Sequence, residues 1–342
     1  MNHGTRKEKQ VMKNRRLGGS GATVSAVGLG CMGMSIAYGP ADPAEARRTL
    51  DRAAELGITF LDTADAYGRG ANEELLGNWL RGRPRESFFL ATKFGLRHDP
   101  VSGRVDRVDN SPEHVKRACD ASLRRLGVDH IDLYYVHRRS PEVPVEETVG
   151  AMAELVAAGK VRSLGLSEVS SRTLRDAHAV HPISAVQMEY SLATREVVEG
   201  EMLATCRELG TAVVAYSPLG RGMLAGAVSS RDELSEGDNR RRWPRFSAEN
   251  IDRNLALVRA LEAVAGEIGC TPAQAALGWL LGQGDDIIPI PGTKRLARLE
   301  ENAAAVDLVM TPEQLARIGD AVPAEAVAGA RYPEQALSRL GH

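Results

Sequence analysis

Residues 57–68 read GITFLDTADAYG. A glycine closes a helical stretch, a short apolar run leads into Asp62, and the chain then breaks into a polar loop carrying Tyr67. The same grammar recurs downstream, where SFFLATK ends on Lys93 and IDLYYVH ends on His137, with helical sequence between. Short apolar runs bounded by breakers read as strands buried on both faces. Strands that alternate with helices pack in parallel and deliver their downstream ends to one side. Asp62, Tyr67, Lys93 and His137 are therefore expected at one mouth of a parallel barrel, where such a barrel keeps its chemistry.

Outward from this stretch the alternation continues. Strands are expected at Val24–Gly28, Thr59–Asp62, Phe88–Lys93, Ile131–Val136, Val161–Leu166, Ala185–Met188, Ala212–Ala215 and Ile287–Pro289, with helices in the gaps. Asp42-Pro43, Ser111-Pro112 and Thr271-Pro272 each set an N-cap residue before a proline that the first helical turn tolerates. Gly57, Gly127, Gly159 and Gly210 stand where helices should stop. Eight such units predict an α/β protein, a (β/α)8 TIM barrel, and RRLGGSGATVS ahead of it reads as an N-terminal β-hairpin. Residues 15–332 are expected to form this one domain, after a polar, disordered segment 1–14 and before a tail 333–342; Met12 is a second candidate for the start. The stretch Ser217–Asn250 is long and irregular, and its Arg240–Arg242 run either covers an anionic cofactor or is a solvated loop.

Gly28, Gly30 and Gly33 spell the dinucleotide fingerprint GxGxxG, but a Rossmann phosphate cradle needs a helix to open at those glycines. Here MSIAYGPADP intervenes, so the glycines are read instead as a sharp turn at the barrel mouth. Bulk composition narrows the function classes. A net charge of −2 and 4% aromatic residues give no footprint for nucleic acid. Four dispersed cysteines without a CxxC pair read as reduced cytoplasmic thiols, and no apolar run reaches membrane length. No cluster has metal-ligand spacing.

Singly, each of the four polar residues has an ordinary explanation: a helix cap, a loop aromatic, a solvated charge, a core histidine. Their convergence argues otherwise. A tyrosine near neutral pH holds a proton it can give up, and a neighbouring ammonium favours the resulting phenolate. A carboxylate beside that ammonium keeps it charged, and a histidine can orient a carbonyl oxygen. Together they would protonate an oxygen on which charge is building.

These motifs resemble a known family. LDTADAYG, ATKFG, IDLYYVH, GLSE, QMEYS, AYSPLGRG and IPGTKRLARLEEN, in this order, are similar to the aldo-keto reductases from about Arg16 to Arg331. The resemblance implies a (β/α)8 barrel that reduces aldehydes or ketones with NADPH by direct hydride transfer. It casts Tyr67 as proton donor, Lys93 and Asp62 as its tuning pair, and His137 as the group that orients a small-molecule carbonyl substrate. Ser167 and Gln187 are expected to hold a carboxamide, and Tyr216 to stack on the nicotinamide. Many family members carry asparagine where Glu168 stands, which puts an amide contact there in doubt. Ser217, Pro218, Leu219, Gly220 and Arg221 are expected on the pyrophosphate, although SPLG alone is an ordinary turn. Thr293, Lys294 and Arg298 suit a 2′-phosphate; the resemblance assigns Glu301 and Asn302 to the adenine. Gly30, Cys31, Met32 and Gly292 complete the expected cofactor contacts. Two alternatives remain open: a nucleotide-sensing regulatory subunit, and a dedicated biosynthetic keto-sugar reductase. Oligomeric state is not readable.

Overall fold

Twelve strands are present in the computed structural model, which describes residues 12–36, 42–99, 101, 105–236, 238–337 and 340–341. They are β1 (Asn14–Arg16), β2 (Thr23–Ser25), β3 (Leu29–Gly30), β4 (Phe60–Asp62), β5 (Phe89–Phe94), β6 (Leu96–His98), β7 (Val105–Val108), β8 (Ile131–Val136), β9 (Val161–Ser167), β10 (Ile183–Glu189), β11 (Ala212–Tyr216) and β12 (Ile287–Pro289). Eight of them form one parallel sheet in the order β12-β11-β10-β9-β8-β5-β4-β3. The sheet closes on itself where the Gly28 amide donates to the Pro289 carbonyl at 2.9 Å and Gly30 bridges Gly292. The eight-stranded barrel is thus as expected.

The helix signals behave as their chemistry dictates. Asp42 accepts from the Ala44 amide at the head of helix Pro43–Glu55, and Ser111 caps Pro112–Leu126. Thr271 and Gln274 form a reciprocal capping box on Pro272–Gly282. Gly127 and Gly210 end their helices in the left-handed region, at φ 66° in both cases, which a Cβ disfavours. Among the described residues no helix is long and apolar enough to cross a membrane.

Three expectations change. Val24–Gly28 is not the first barrel strand: Thr23–Ser25 pairs antiparallel with Asn14–Arg16, and Leu29–Gly30 takes the barrel position. The reason lies at Ser25, whose amide and hydroxyl bond Thr59 and the Val27 carbonyl and turn the chain out of the hairpin. The gap after the strand that ends at Lys93, expected to hold only a helix, also carries the antiparallel pair of β6 and β7. Residues 1–11 lie outside the described residues, but Met12 is buried and Asn14 opens β1, so ordered chain begins before residue 15.

Alternation along the strands positions the site. The barrel interior is filled by Phe60, Ala91, Leu133, Tyr135, Ala185, Val214, Ile288 and their neighbours, and is plugged by Leu17 and Val24 of the hairpin. Burying each of these two plug residues is worth about 1.5–3 kcal/mol. Gly18 lets the hairpin seat closely: a Cβ there would lie 2.3 Å from the Ser184 carbonyl oxygen. Side chains two residues further along share the inward face. Asp62 therefore stands above Phe60, Lys93 above Ala91, His137 above Tyr135, Gln187 above Ala185, and Tyr216 above Val214.

Candidate active site

Lys93 is completely buried, yet each of its three ammonium protons has an acceptor. Nζ donates to Asp62 Oδ1 at 2.5 Å, to the Thr63 carbonyl at 2.8 Å and to the Tyr67 hydroxyl at 3.2 Å. The other Asp62 oxygen accepts from Gln187 Nε2 at 2.8 Å. Tyr67 sits on the turn after β4, which is fixed from below by a buried side chain absent from the sequence reading. Asn72 accepts from the Thr63 hydroxyl at 2.6 Å and donates to the Cys31 carbonyl at 2.9 Å. His137 meets Tyr67 edge-on, with ring centroids 5.7 Å apart. All four expected residues therefore come together.

Electrostatics assigns their states. Burial acts to strip Lys93 of its proton, but the attraction of Asp62 and then Tyr67 outweighs it and holds the ammonium above its ordinary value. For Tyr67, burial raises the phenol and Lys93 only partly pulls it back, so the side chain is protonated at neutral pH. Lys93 thus lowers the phenol as expected, without winning the balance. Burial, then the cations Arg138 and Lys93, keep His137 well below its ordinary value. It is a neutral imidazole, and its Nδ1 is buried without a hydrogen-bond partner among the described residues.

The expected cofactor residues rim the same mouth, with several donors already engaged. Ser167 Oγ accepts from Arg138 at 3.0 Å, and the Gln187 amide is held by Asp62. The Tyr216 hydroxyl lies 2.9 Å from Glu168 Oε1 and 2.8 Å from the Tyr332 hydroxyl, which pins its ring. Arg221 departs from its expected role: its guanidinium bonds both Glu189 oxygens at 3.1 Å and lies 3.6 Å over the Trp243 ring. Arg298 donates to Glu301 at 2.8 Å, so these two act as a pair. Asn302 is buried, and Thr293 caps its own loop through the Arg295 amide. Cys31 is buried with its amide on the Asp62 carbonyl, and Met32 opens a short turn beside it. Of the Arg240–Arg242 run, Arg240 pairs with Asp238 and Arg241 bonds the Leu234 carbonyl, which ties the run to its own loop.

Backbone conformation tests whether this rim suits a dinucleotide. Among the described residues, the non-glycine positions with positive φ are Arg69, Glu168, Ser217 and Arg221, all around this mouth. Such conformations cost free energy and persist where the surroundings impose them. Two of them, at φ 49° and 57°, flank Gly220 in the Ser217–Gly222 turn. Gly220, Arg221 and Gly222 run consecutively left-handed, and the Gly220 and Gly222 amides donate to the Ser217 and Leu219 carbonyls at 2.9 and 3.0 Å. Thr293, Lys294 and Arg298 supply a hydroxyl and cations of the kind that a phosphate takes.

Arg138, Arg331 and Tyr332 were not singled out by sequence. Glu168 Oε2 pairs with Arg331 Nη1 at 2.8 Å, and the Gly341 amide donates to the Glu168 carbonyl at 2.9 Å. The amide-type contact in doubt at position 168 is replaced by a carboxylate that clasps the C-terminal segment. Only the position of Arg138, directly after a strand-end histidine, offered a signal.

A parallel barrel with a buried Lys-Asp pair beneath a protonated tyrosine defines a class of oxidoreductase, and the comparisons with known proteins agree. Residues 26–322 match the family model described as the Aldo/keto reductase family. The NADP(+) aldo-keto reductase yakc of Schizosaccharomyces pombe is 48% identical over 322 residues, covering 93% of this chain and 94% of its own. A probable aldo-keto reductase 1 of Glycine max is 45% identical, covering 93% and 91%. Among solved structures, a glycerol dehydrogenase from Gluconobacter oxydans superimposes with a TM-score of 0.82 at 28% identity, covering 90% of this chain and 94% of that one. The holo form of an aldo-keto reductase from Bacillus halodurans gives 0.75 at 32%, covering 92% and 97%. The chain belongs to the aldo/keto reductase family and is an oxidoreductase.

Proposed function

We propose that the protein reduces the carbonyl group of an aldehyde or ketone at the expense of NADPH, with Tyr67 as the proton donor. One observation carries this reading. The Tyr67 hydroxyl accepts from Lys93, so its own proton must point elsewhere, and among the described residues no acceptor takes it. That proton is available to an incoming oxygen.

NADPH, when bound, supplies the hydride. Tyr216 would back its ring, the Ser217–Arg221 backbone would take the pyrophosphate, and Thr293, Lys294, Arg298 and Asn302 would take the adenosine end with Gly30–Met32 and Gly292 alongside. The NADP(+) in the name of the yeast relative supports the phosphorylated cofactor. On the protein side, His137 Nε2 orients the carbonyl oxygen above Tyr67. As negative charge builds there, Tyr67 passes its proton to the oxygen, and Lys93 stabilises the phenolate left behind. Asp62 keeps Lys93 charged throughout, and Gln187 fixes Asp62.

Oxidation of NADPH against a panel of aldehydes, ketones and keto-sugars, for wild type beside Tyr67→Phe, tests the reading. Loss of the acid should lower turnover by about 10²–10⁴ while NADPH still binds. Wild-type turnover retained by Tyr67→Phe would remove Tyr67 from the mechanism.

A further inference from the structure

Two cations act on Tyr67, and only Lys93 is held in an ion pair. Lys93 has Asp62 at 2.5 Å. Arg138, which also bears on Tyr67 and His137, has no carboxylate within ion-pair distance among the described residues. Glu168, the acid that acts on Arg138 electrostatically, is itself ion-paired with Arg331. Arg138 leaves the end of β8 directly behind His137, is half-buried, and is acted on electrostatically by Tyr216, Tyr332, Glu168 and Tyr67. Both of its hydrogen bonds use Nη1 and go to neutral oxygens, the His137 carbonyl at 2.6 Å and Ser167 Oγ at 3.0 Å. These bonds fix the guanidinium plane and leave the Nε–Nη2 edge, a two-donor fork suited to an oxyanion.

Held in place by neutral oxygens and in no ion pair of its own among the described residues, the guanidinium keeps a fixed fork that an arriving anion can take. We propose that Arg138 is the specificity-determining residue of an oxyanion subsite beside the reacting carbonyl. The preferred substrates are then carbonyl compounds that carry a carboxylate or phosphate a few bonds from the reducible group. This rests on the carbonyl-reductase reading above and goes beyond it in naming the substrate class.

Matched pairs test it: 4-carboxybenzaldehyde against methyl 4-formylbenzoate, and glyceraldehyde 3-phosphate against glyceraldehyde. The readout is the ratio of kcat/KM for the anionic over the neutral member, in wild type, Arg138→Gln and Arg138→Lys. Wild type should favour one anionic member by about ten- to a hundred-fold, and the pair that shows it identifies carboxylate or phosphate. Arg138→Gln should bring that ratio down about tenfold or more, and Arg138→Lys, which keeps charge without the fork, should restore part of it. Rising salt should erode the wild-type ratio. No anionic preference in either pair, or a preference that Arg138→Gln leaves intact, overturns the proposal. If no pair member oxidises NADPH, the carbonyl-reductase reading fails by itself. Calorimetric titration of 4-(hydroxymethyl)benzoate and glycerol 3-phosphate then reads the subsite alone: weaker binding by Arg138→Gln supports it, and equal binding sinks it.

Discussion

Lys93→Met isolates what the buried ion pair does. The side chain keeps its length and loses its charge, so Asp62 remains fully enclosed with only Gln187 Nε2 at 2.8 Å. Removing one partner of a buried pair costs about 3–5 kcal/mol when the other must stay charged. Asp62 has an escape, because burial already pushes its carboxyl up and Lys93 is the main force pulling it back. In the variant it takes up a proton. A carboxyl raised in the folded state is free of penalty below its unfolded value near about 4, and loses stability as pH rises towards its folded value, by about 1.4 kcal/mol per unit. Urea midpoints at pH 5 and pH 8 should therefore show a deficit against wild type that widens with pH. Adding Asp62→Asn should remove most of the pH dependence and recover much of the loss. A deficit equal at both pH values, with no recovery in the double variant, would refute the idea that Lys93 serves to keep Asp62 ionised.

Arg298→Ala should weaken NADPH more than NADH, by about tenfold or more in the ratio of dissociation constants, and equal losses would argue against a phosphate clamp. Gly165→Ala places a Cβ 2.4 Å from the Tyr135 ring and should cost about 1–3 kcal/mol in denaturant unfolding, whereas an unchanged midpoint would mean that the barrel interior yields freely. His137 is held low by burial and neighbouring cations, so the unfolded chain takes up a proton near pH 6.5 that the folded one refuses. Stability from this source is present above that pH and lost as pH falls, and His137→Gln should flatten the decline between pH 7 and 5. Parallel declines in both proteins would count against it.

Strand ends and the period-two alternation were local enough to read, and they suffice to bring Asp62, Lys93 and His137 onto one face. Capping residues were legible for the same reason, since Asp42, Ser111 and Thr271 bond amides within three residues. What escaped was set by contacts distant in sequence. The first barrel strand was displaced because Ser25 prefers Thr59, and Glu168 meets Arg331 across 163 residues. Arg221 was read as a ligand because nothing near it in sequence announces Glu189 or Trp243 as its partners.

The clasp at Glu168 has a practical side for anyone producing this protein. Gly341 is tied to the rim of the reactive mouth, whereas Met12 enters beside Gly57, under the hairpin that plugs the opposite end. Chain that enters at Met12 starts on the side away from the chemistry, which favours that end for a purification tag. The same tag appended after Gly341 begins beside Glu168, so kinetics of such a fusion call for comparison with a protein tagged at the other end.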